Sequence, residues 1–227
     1  GVGRTDTKTV FVENAVYGET LDAKMIAEKK NFFEARKINT TVRSDFQRKP
    51  PCPYFYECGG CSIMDINYET QIDLKQNLIK NAIKKSTGIN LEDIEIIESP
   101  EFSYRNKIRL QVDKDGGLNY LETYSKKMVK IDDCLIANEK IAENLVDIAK
   151  ITREINQKFT GIIEEISIRA SEKNILLNLQ GNFNNKAIAY IKERYSNSIY
   201  NINLLVARDL IIISGEGYLD YKIGQKE

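Results

Sequence analysis

Apolar and polar positions change period along the chain, and each change announces a different element. Thr9-Val10-Phe11-Val12 is a β-branched and aromatic run, residues 21–26 alternate, and residues 33–42 continue in the same style, with turn signals at Asn14 and Gly18-Glu19 between them. Short strands are expected there. Pro50, Pro51 and Pro53 then interrupt regular structure. Beyond them Tyr68, Ile72, Ile79, Ala82 and Ile83 recur at helical spacing, with Asn67 or Asp65 placed to cap the start and Gly88 to end it. That spacing predicts one amphipathic helix of about five turns, whose apolar stripe must pack on something.

From Tyr104 the pattern is mixed. Ile108-Arg109-Leu110-Gln111-Val112 alternates as a strand, Gly116-Gly117 marks a hairpin turn, and residues 118–124 return. Asn138 caps a second helix whose predicted face is Ile141, Leu145, Ile148, Ile155 and Phe159. Strands over 162–170 and 175–180, a helix over 185–195, and strands over 200–206 and 210–214 follow, while the tail from Gly215 to Glu227 has no strong pattern. The fold class read from this order is α+β: a small OB-like β-barrel joined through a cysteine-rich turn to a mixed α/β domain. The expected boundaries are 1–46 for the barrel, 47–66 for the turn, 67–101 for a helical segment and 102–227 for the α/β domain. Three or four strands are few to close a barrel, and the abrupt start at Gly1-Val2-Gly3-Arg4 suggests that its first strand is missing.

At 42% apolar residues the chain is globular in composition. No stretch approaches the roughly 20 apolar residues of a membrane span, and the N-terminus has no signal-peptide core, so no membrane association and a cytoplasmic address are expected. Charge balances at 33 basic and 33 acidic residues, yet it is segregated. Lys24, Lys29, Lys30, Arg36, Lys37, Arg43, Arg48 and Lys49 crowd one stretch, and Glu92, Asp93, Glu95, Glu98 and Glu101 another. Such runs are commonly solvated faces; the sharper reading is that the basic one follows a phosphate backbone.

The candidate chemistry lies in the cysteines. Cys52, Cys58, Cys61 and Cys134 are the whole complement, and the first three fall in a C-x5-C-G-G-C turn. Gly59 and Gly60 permit the tight backbone that aims several thiolates at one centre. Zinc in an all-cysteine site favours two paired knuckles, whereas one triple plus a remote thiolate is characteristic of iron-sulfur clusters, so the spacing favours a 4Fe-4S cluster. An inert buried thiol is the competing reading, above all for Cys134. Histidine is absent, and four thiolates committed to a cluster leave none to attack a substrate. No strand-to-helix glycine fingerprint occurs either, so no catalytic residue is assigned.

Taken in order, these pieces resemble the N-terminal half of the iron-sulfur RNA (uracil-5-)-methyltransferases. Val10-Phe11-Val12-Glu13-Asn14-Ala15 followed by Gly18-Glu19 looks like the start of a TRAM domain, an RNA-binding barrel. Cys52 to Cys61, Tyr68-x-x-Gln71-x-x-x-Lys75, Tyr104-Arg105-Asn106-Lys107 and Cys134 then follow in that family's order. The resemblance implies S-adenosylmethionine-dependent methylation of a uridine at carbon 5, with 23S ribosomal RNA favoured as substrate and transfer RNA possible. It implies too that the nucleophile, the base and the S-adenosylmethionine site lie in a C-terminal domain that this chain lacks, so that the chain alone is inactive. In the family the helix after the cysteine turn packs with that domain, which here leaves the stripe at Ile72, Ile79 and Ile83 to be buried by self-association or by a rearranged packing. RNA contact is expected from Lys29, Lys30 and Arg43 together with Arg105, Lys107 and Arg109, whose two-residue spacing predicts one strand face. Phe32, Phe33, Tyr54 and Tyr104 are candidates to stack unpaired bases. The rival reading is a stand-alone iron-sulfur RNA-binding or electron-transfer protein.

Overall fold

The structure, a computed structural model, describes residues 1–123 and 125–221. The chain divides into two compact units: Gly1–Pro53 with Cys61–Glu98, and Tyr54–Gly60 with Ser99–Glu227. The helical segment expected to stand apart therefore belongs with the N-terminal strands, and the cysteine turn is shared between the units.

In the first unit β1 (Val2–Arg4), β2 (Thr9–Glu13), β3 (Thr20–Glu28) and β4 (Phe32–Val42) form one sheet in the order β1-β2-β4-β3. The β2–β4 pair is parallel and the others antiparallel. No ladder joins β1 to β3 among the described residues, so the sheet is open rather than a closed barrel. The segment Gly1-Val2-Gly3-Arg4 supplies β1 by pairing with β2. Val16 and Ala35 are the buried apolar residues contributed by the stretch carrying these strands.

What organises this sheet is polar. The Glu19 carboxylate, with a side chain 1% exposed, receives the Val16 N–H at 2.6 Å, the Lys37 ammonium at 2.6 Å and the Thr40 hydroxyl at 3.0 Å. Burial by itself would raise its pKa, but these three donors outweigh burial and hold the carboxyl below its usual range.

Past β4 the backbone folds back on itself: Gln47 bridges Ile66, Arg48 N–H meets the Asp65 carbonyl at 2.8 Å, and Asn67 N–H meets that of Phe46 at 2.9 Å. This pinches the ends of the cysteine segment together. Helix α1 (Tyr68–Thr87) starts at an Asn67 cap, whose side chain accepts the Thr70 N–H at 2.9 Å, and ends at Gly88 with φ 77°. Only its first turn is buried, at Thr70 and Gln71. Of the predicted stripe, Tyr68, Ile72 and Ile83 are half-buried and Ile79 and Ala82 exposed. The acidic segment runs beside the helix, where Gln76 and Lys80 donate to the carbonyls of Ile94 and Glu92.

The second unit carries a seven-stranded sheet in the order β11-β10-β9-β8-β5-β6-β7, from β5 (Lys107–Val112), β6 (Leu118–Leu121), β7 (Met128–Lys130), β8 (Ile163–Ala170), β9 (Ile175–Gly181), β10 (Asn201–Val206) and β11 (Asp209–Ser214). Only β9–β10 is parallel, because α3 (Asn185–Tyr195) intervenes as a crossover. The expected return strand over 118–124 ends at Leu121; Tyr124 and residues 222–227 of the expected tail lie outside the described residues.

One sheet face buries Ile108, Leu110, Ile166, Ile168, Leu177, Leu179, Ile202 and Leu204. Helix α2 (Glu139–Phe159) packs on β8 and buries Ile141, Leu145, Ile148 and Ile155 as its spacing predicts. Two polar residues share that buried face. Asn156 donates to the carbonyls of Asp113 and Ile163, each at 3.0 Å, and accepts the Ile163 N–H at 2.8 Å; Thr152 donates to the Gly116 carbonyl at 2.6 Å. Gly116, at φ 83°, comes so close that a Cβ would sit 2.3 Å from the Arg153 Cα. The β5–β6 hairpin is thus latched to α2.

Candidate functional site

The residues Tyr54–Gly60 are docked on the second unit by backbone and side chain together. Cys58 N–H closes a turn on the Tyr54 carbonyl at 2.7 Å, Cys58 bridges Glu122 beyond the end of β6, and Gly59 N–H meets the Leu121 carbonyl at 2.9 Å. A Cβ on Gly59 would lie 2.8 Å from that same carbonyl oxygen, which is why glycine stands there. Gly60 donates its N–H to the Cys58 Sγ at 3.3 Å, and a Cβ on Gly60 would crowd this sulfur at the same distance.

Cys134 reaches the same neighbourhood from the loop between β7 and α2. It is 9% exposed, and the turn it opens is closed by Ala137 N–H on its carbonyl at 2.9 Å. The Tyr54 hydroxyl hydrogen-bonds Asp132, joining the segment that carries Cys58 to the one that carries Cys134. Between them stands Tyr120 of β6, its hydroxyl 3.8 Å from the Cys134 Sγ. Burial raises the Tyr120 pKa most, and the neighbouring Cys134 adds to this by charge and hydrogen bond while Arg105 opposes it. The phenol therefore stays protonated and is able to donate to a thiolate.

Cys58 and Cys134 belong to the second unit and Cys52 and Cys61, both half-buried, to the first. None of the four is in a disulfide. Among the described residues no group of three or more Cys, Asp or Glu side chains is gathered around a single-ion site. The surroundings of Cys58 and Cys134 nonetheless suit cluster thiolates, since an amide N–H is donated to the Cys58 sulfur and the Tyr120 hydroxyl lies within hydrogen-bond distance of the Cys134 sulfur. Tyr120, Asp132 and the Tyr54–Asp132 link were not legible as site residues; their one local signal is that Asp132 precedes Cys134 by a single intervening residue.

The predicted cations are distributed as follows. Lys29 and Lys30 are exposed at the turn between β3 and β4, and Arg43 is exposed just past β4. Lys107 and Arg109 share the open face of β5, opposite the helices, but Arg109 lies 3.3 Å from Glu165. Arg105 precedes β5 and does not join this row. Its backbone is tied to Ile136 and Asn138, and its charge acts on Tyr120. Of the aromatic candidates, Phe32 packs edge-on against Phe11, Phe33 lies under the Lys8 ammonium, and Tyr54 holds Asp132; Tyr104 is 52% exposed.

No protein-family model matches the chain. It is 32% identical over 157 residues to an uncharacterized RNA methyltransferase of Aquifex aeolicus, covering 68% of this chain and 37% of that protein. A second RNA methyltransferase, from Streptococcus mutans, is 36% identical over 147 residues, covering 61% of this chain and 32% of the relative. The chain's homologues are RNA methyltransferases. It spans about a third of the length of these curated relatives. Among solved structures, the tRNA (uracil-54, C5)-methyltransferase of Pyrococcus abyssi in complex with S-adenosyl-L-homocysteine superposes with a TM-score of 0.62 over 88% of this chain and 47% of that one. At 21% identity this likeness is one of fold. No described helix is long and apolar enough to cross a membrane.

Proposed function

We propose that these residues form the RNA-recognition and iron-sulfur portion of an S-adenosylmethionine-dependent RNA uracil-C5 methyltransferase. The observation that carries this reading is the similarity to RNA methyltransferases over about two thirds of the chain; the fold shared with a uracil-C5 methyltransferase supports the uracil-C5 assignment. Methyl transfer and S-adenosylmethionine binding belong, in this reading, to the part of the relatives' length that the chain does not span. The RNA in this reading is 23S ribosomal RNA, with transfer RNA as the alternative.

Cys52, Cys58, Cys61 and Cys134 would hold a 4Fe-4S cluster. Methylation at carbon 5 moves no net electrons, so when bound the cluster supplies a cross-link between distant segments rather than redox chemistry. This chain's own residues prepare it: Gly60 N–H and Tyr120 O–H stabilise sulfur charge, and Tyr54 with Asp132 holds two ligand-bearing segments together. Lys29, Lys30, Arg43, Arg105, Lys107 and Arg109 would meet RNA phosphates.

Anaerobic purification tests this directly. The expected protein is brown, carries about four irons and four acid-labile sulfides per chain, and binds structured RNA with an affinity that falls steeply with salt. Cys134→Ala should lose the iron and unfold less cooperatively. An iron-free protein whose RNA binding ignores salt would overturn the reading.

A further inference from the structure

One end of the β5–β8 pair holds a charge arrangement that the fold does not itself satisfy. In the β5–β8 register Lys107 stands directly opposite Arg169, and both are exposed. Directly opposed residues of an antiparallel pair point to the same face with Cβ atoms about 5 Å apart, so two cations there repel and weaken the ladder. Among the described residues neither side chain has a hydrogen bond or an acidic partner, whereas farther along the same strands Arg109 is answered by Glu165, which also accepts from Gln111. Positive charge is therefore compensated toward the middle of the strands and left bare at one end. At that end Tyr221, 44% exposed, hydrogen-bonds the carbonyl of Ala170, the residue after Arg169.

Resting on the function proposed above, we infer that Lys107 and Arg169 form a phosphate-binding ledge for single-stranded RNA, with Tyr221 beside it as a base-stacking surface. An RNA backbone laid across the two strands removes the repulsion between the cations and releases counterions. A neighbouring aromatic ring suits unpaired bases. Arg169 is invisible to any reading along the chain, because only strand pairing sets it against Lys107.

Binding of a fluorescent single-stranded RNA oligonucleotide of mixed sequence, measured by anisotropy over a series of salt concentrations, tests the ledge with the full chain. Arg169→Gln should weaken binding several-fold and lower the slope of log affinity against log salt by about 0.7, and Lys107→Gln with Arg169→Gln by about twice that. Because a cross-strand repulsion is relieved, the melting temperature of Arg169→Gln should not fall. Unchanged affinity and slope in the variants, with wild type binding RNA normally, overturns the ledge and leaves the proposed function standing. Weaker binding accompanied by a lower melting temperature, or by an unchanged slope, also overturns it. Failure of wild type to bind this oligonucleotide overturns the ledge, whereas the proposed function fails only if wild type also ignores ribosomal and transfer RNA.

Discussion

The two sheets of this protein begin from similar alternating runs and are stabilised by different forces. In β8 and β9 the alternating residues Ile166, Ile168, Leu177 and Leu179 are fully buried, and α2 packs on β8. In β3 only Leu21 and Ala27 are even half-buried, and Met25, Ile26, Ile38 and Val42 of β3 and β4 are exposed. Fully burying one such aliphatic side chain is worth about 1.5–3 kcal/mol, and the stretch carrying the first sheet's strands buries Val16 and Ala35 alone among its apolar residues. The seven-stranded sheet thus stands on its core. The four-stranded sheet relies on the Glu19 cluster and on ladder hydrogen bonds, and is the less stable of the two.

The most damaging change to test this contrast is Asn156→Leu. It strands the Ile163 N–H inside a packed layer, worth about 1–3 kcal/mol when left unsatisfied, and removes the amide donor from the Ile163 and Asp113 carbonyls, the latter keeping the Gly116 N–H at 2.9 Å. Segment-resolved hydrogen exchange should show protection collapsing in β5, β8 and β9 while β2 and β4 keep theirs. Equal loss in both sheets would mean that they unfold as one body.

Glu19→Gln is the counterpart in the first unit. It removes the charge that faces the Lys37 ammonium at 2.6 Å, at a cost of about 2 kcal/mol. Faster exchange should be confined to residues 1–53. If β8 and β9 loosen as well, the polar cluster is not a local device.

A smaller effect appears on acidification, with two opposing contributions. Burial raises the Asp65 pKa, so the folded state takes up a proton there first and the first unit gains slightly as pH drops from neutral. Glu19 is held below the ordinary glutamate range, so its contribution is complete above that range and is lost as pH falls through it toward the folded value. Denaturation of the first unit should therefore show a shallow rise and then a fall in stability. Asp65→Asn should abolish the rise and Glu19→Gln the fall.

Much of the secondary structure was legible because it depends on neighbours in sequence. Asn67, Asn138 and Gly88 cap and end helices where their side chains or backbone freedom require, and the apolar faces of α2 and of the second unit's strands follow their periods. The helix stripe at Ile72, Ile79 and Ile83 was legible as a pattern but not as a core, since periodicity states that a face is apolar and not what covers it. Strand β1 escaped detection because three exposed residues have no pattern; pairing with β2 alone makes them a strand. Glu19 read as part of a turn, and only the approach of Lys37 and Thr40 from β4 and its flank makes it a hub.

The cysteine chemistry divides along the same line. Sequence alone determined which residues carry thiols, that glycines follow Cys58, and that no imidazole competes, since these are matters of identity and spacing. Tertiary structure decided that Tyr120 stands beside Cys134, that Tyr54 holds Asp132, and that Arg169 stands opposite Lys107. Those pairings depend on strand register and loop docking, which sum interactions between residues remote in the chain, and a shift of one residue in β6 or β8 would send Tyr120 or Arg169 to the other face of the sheet.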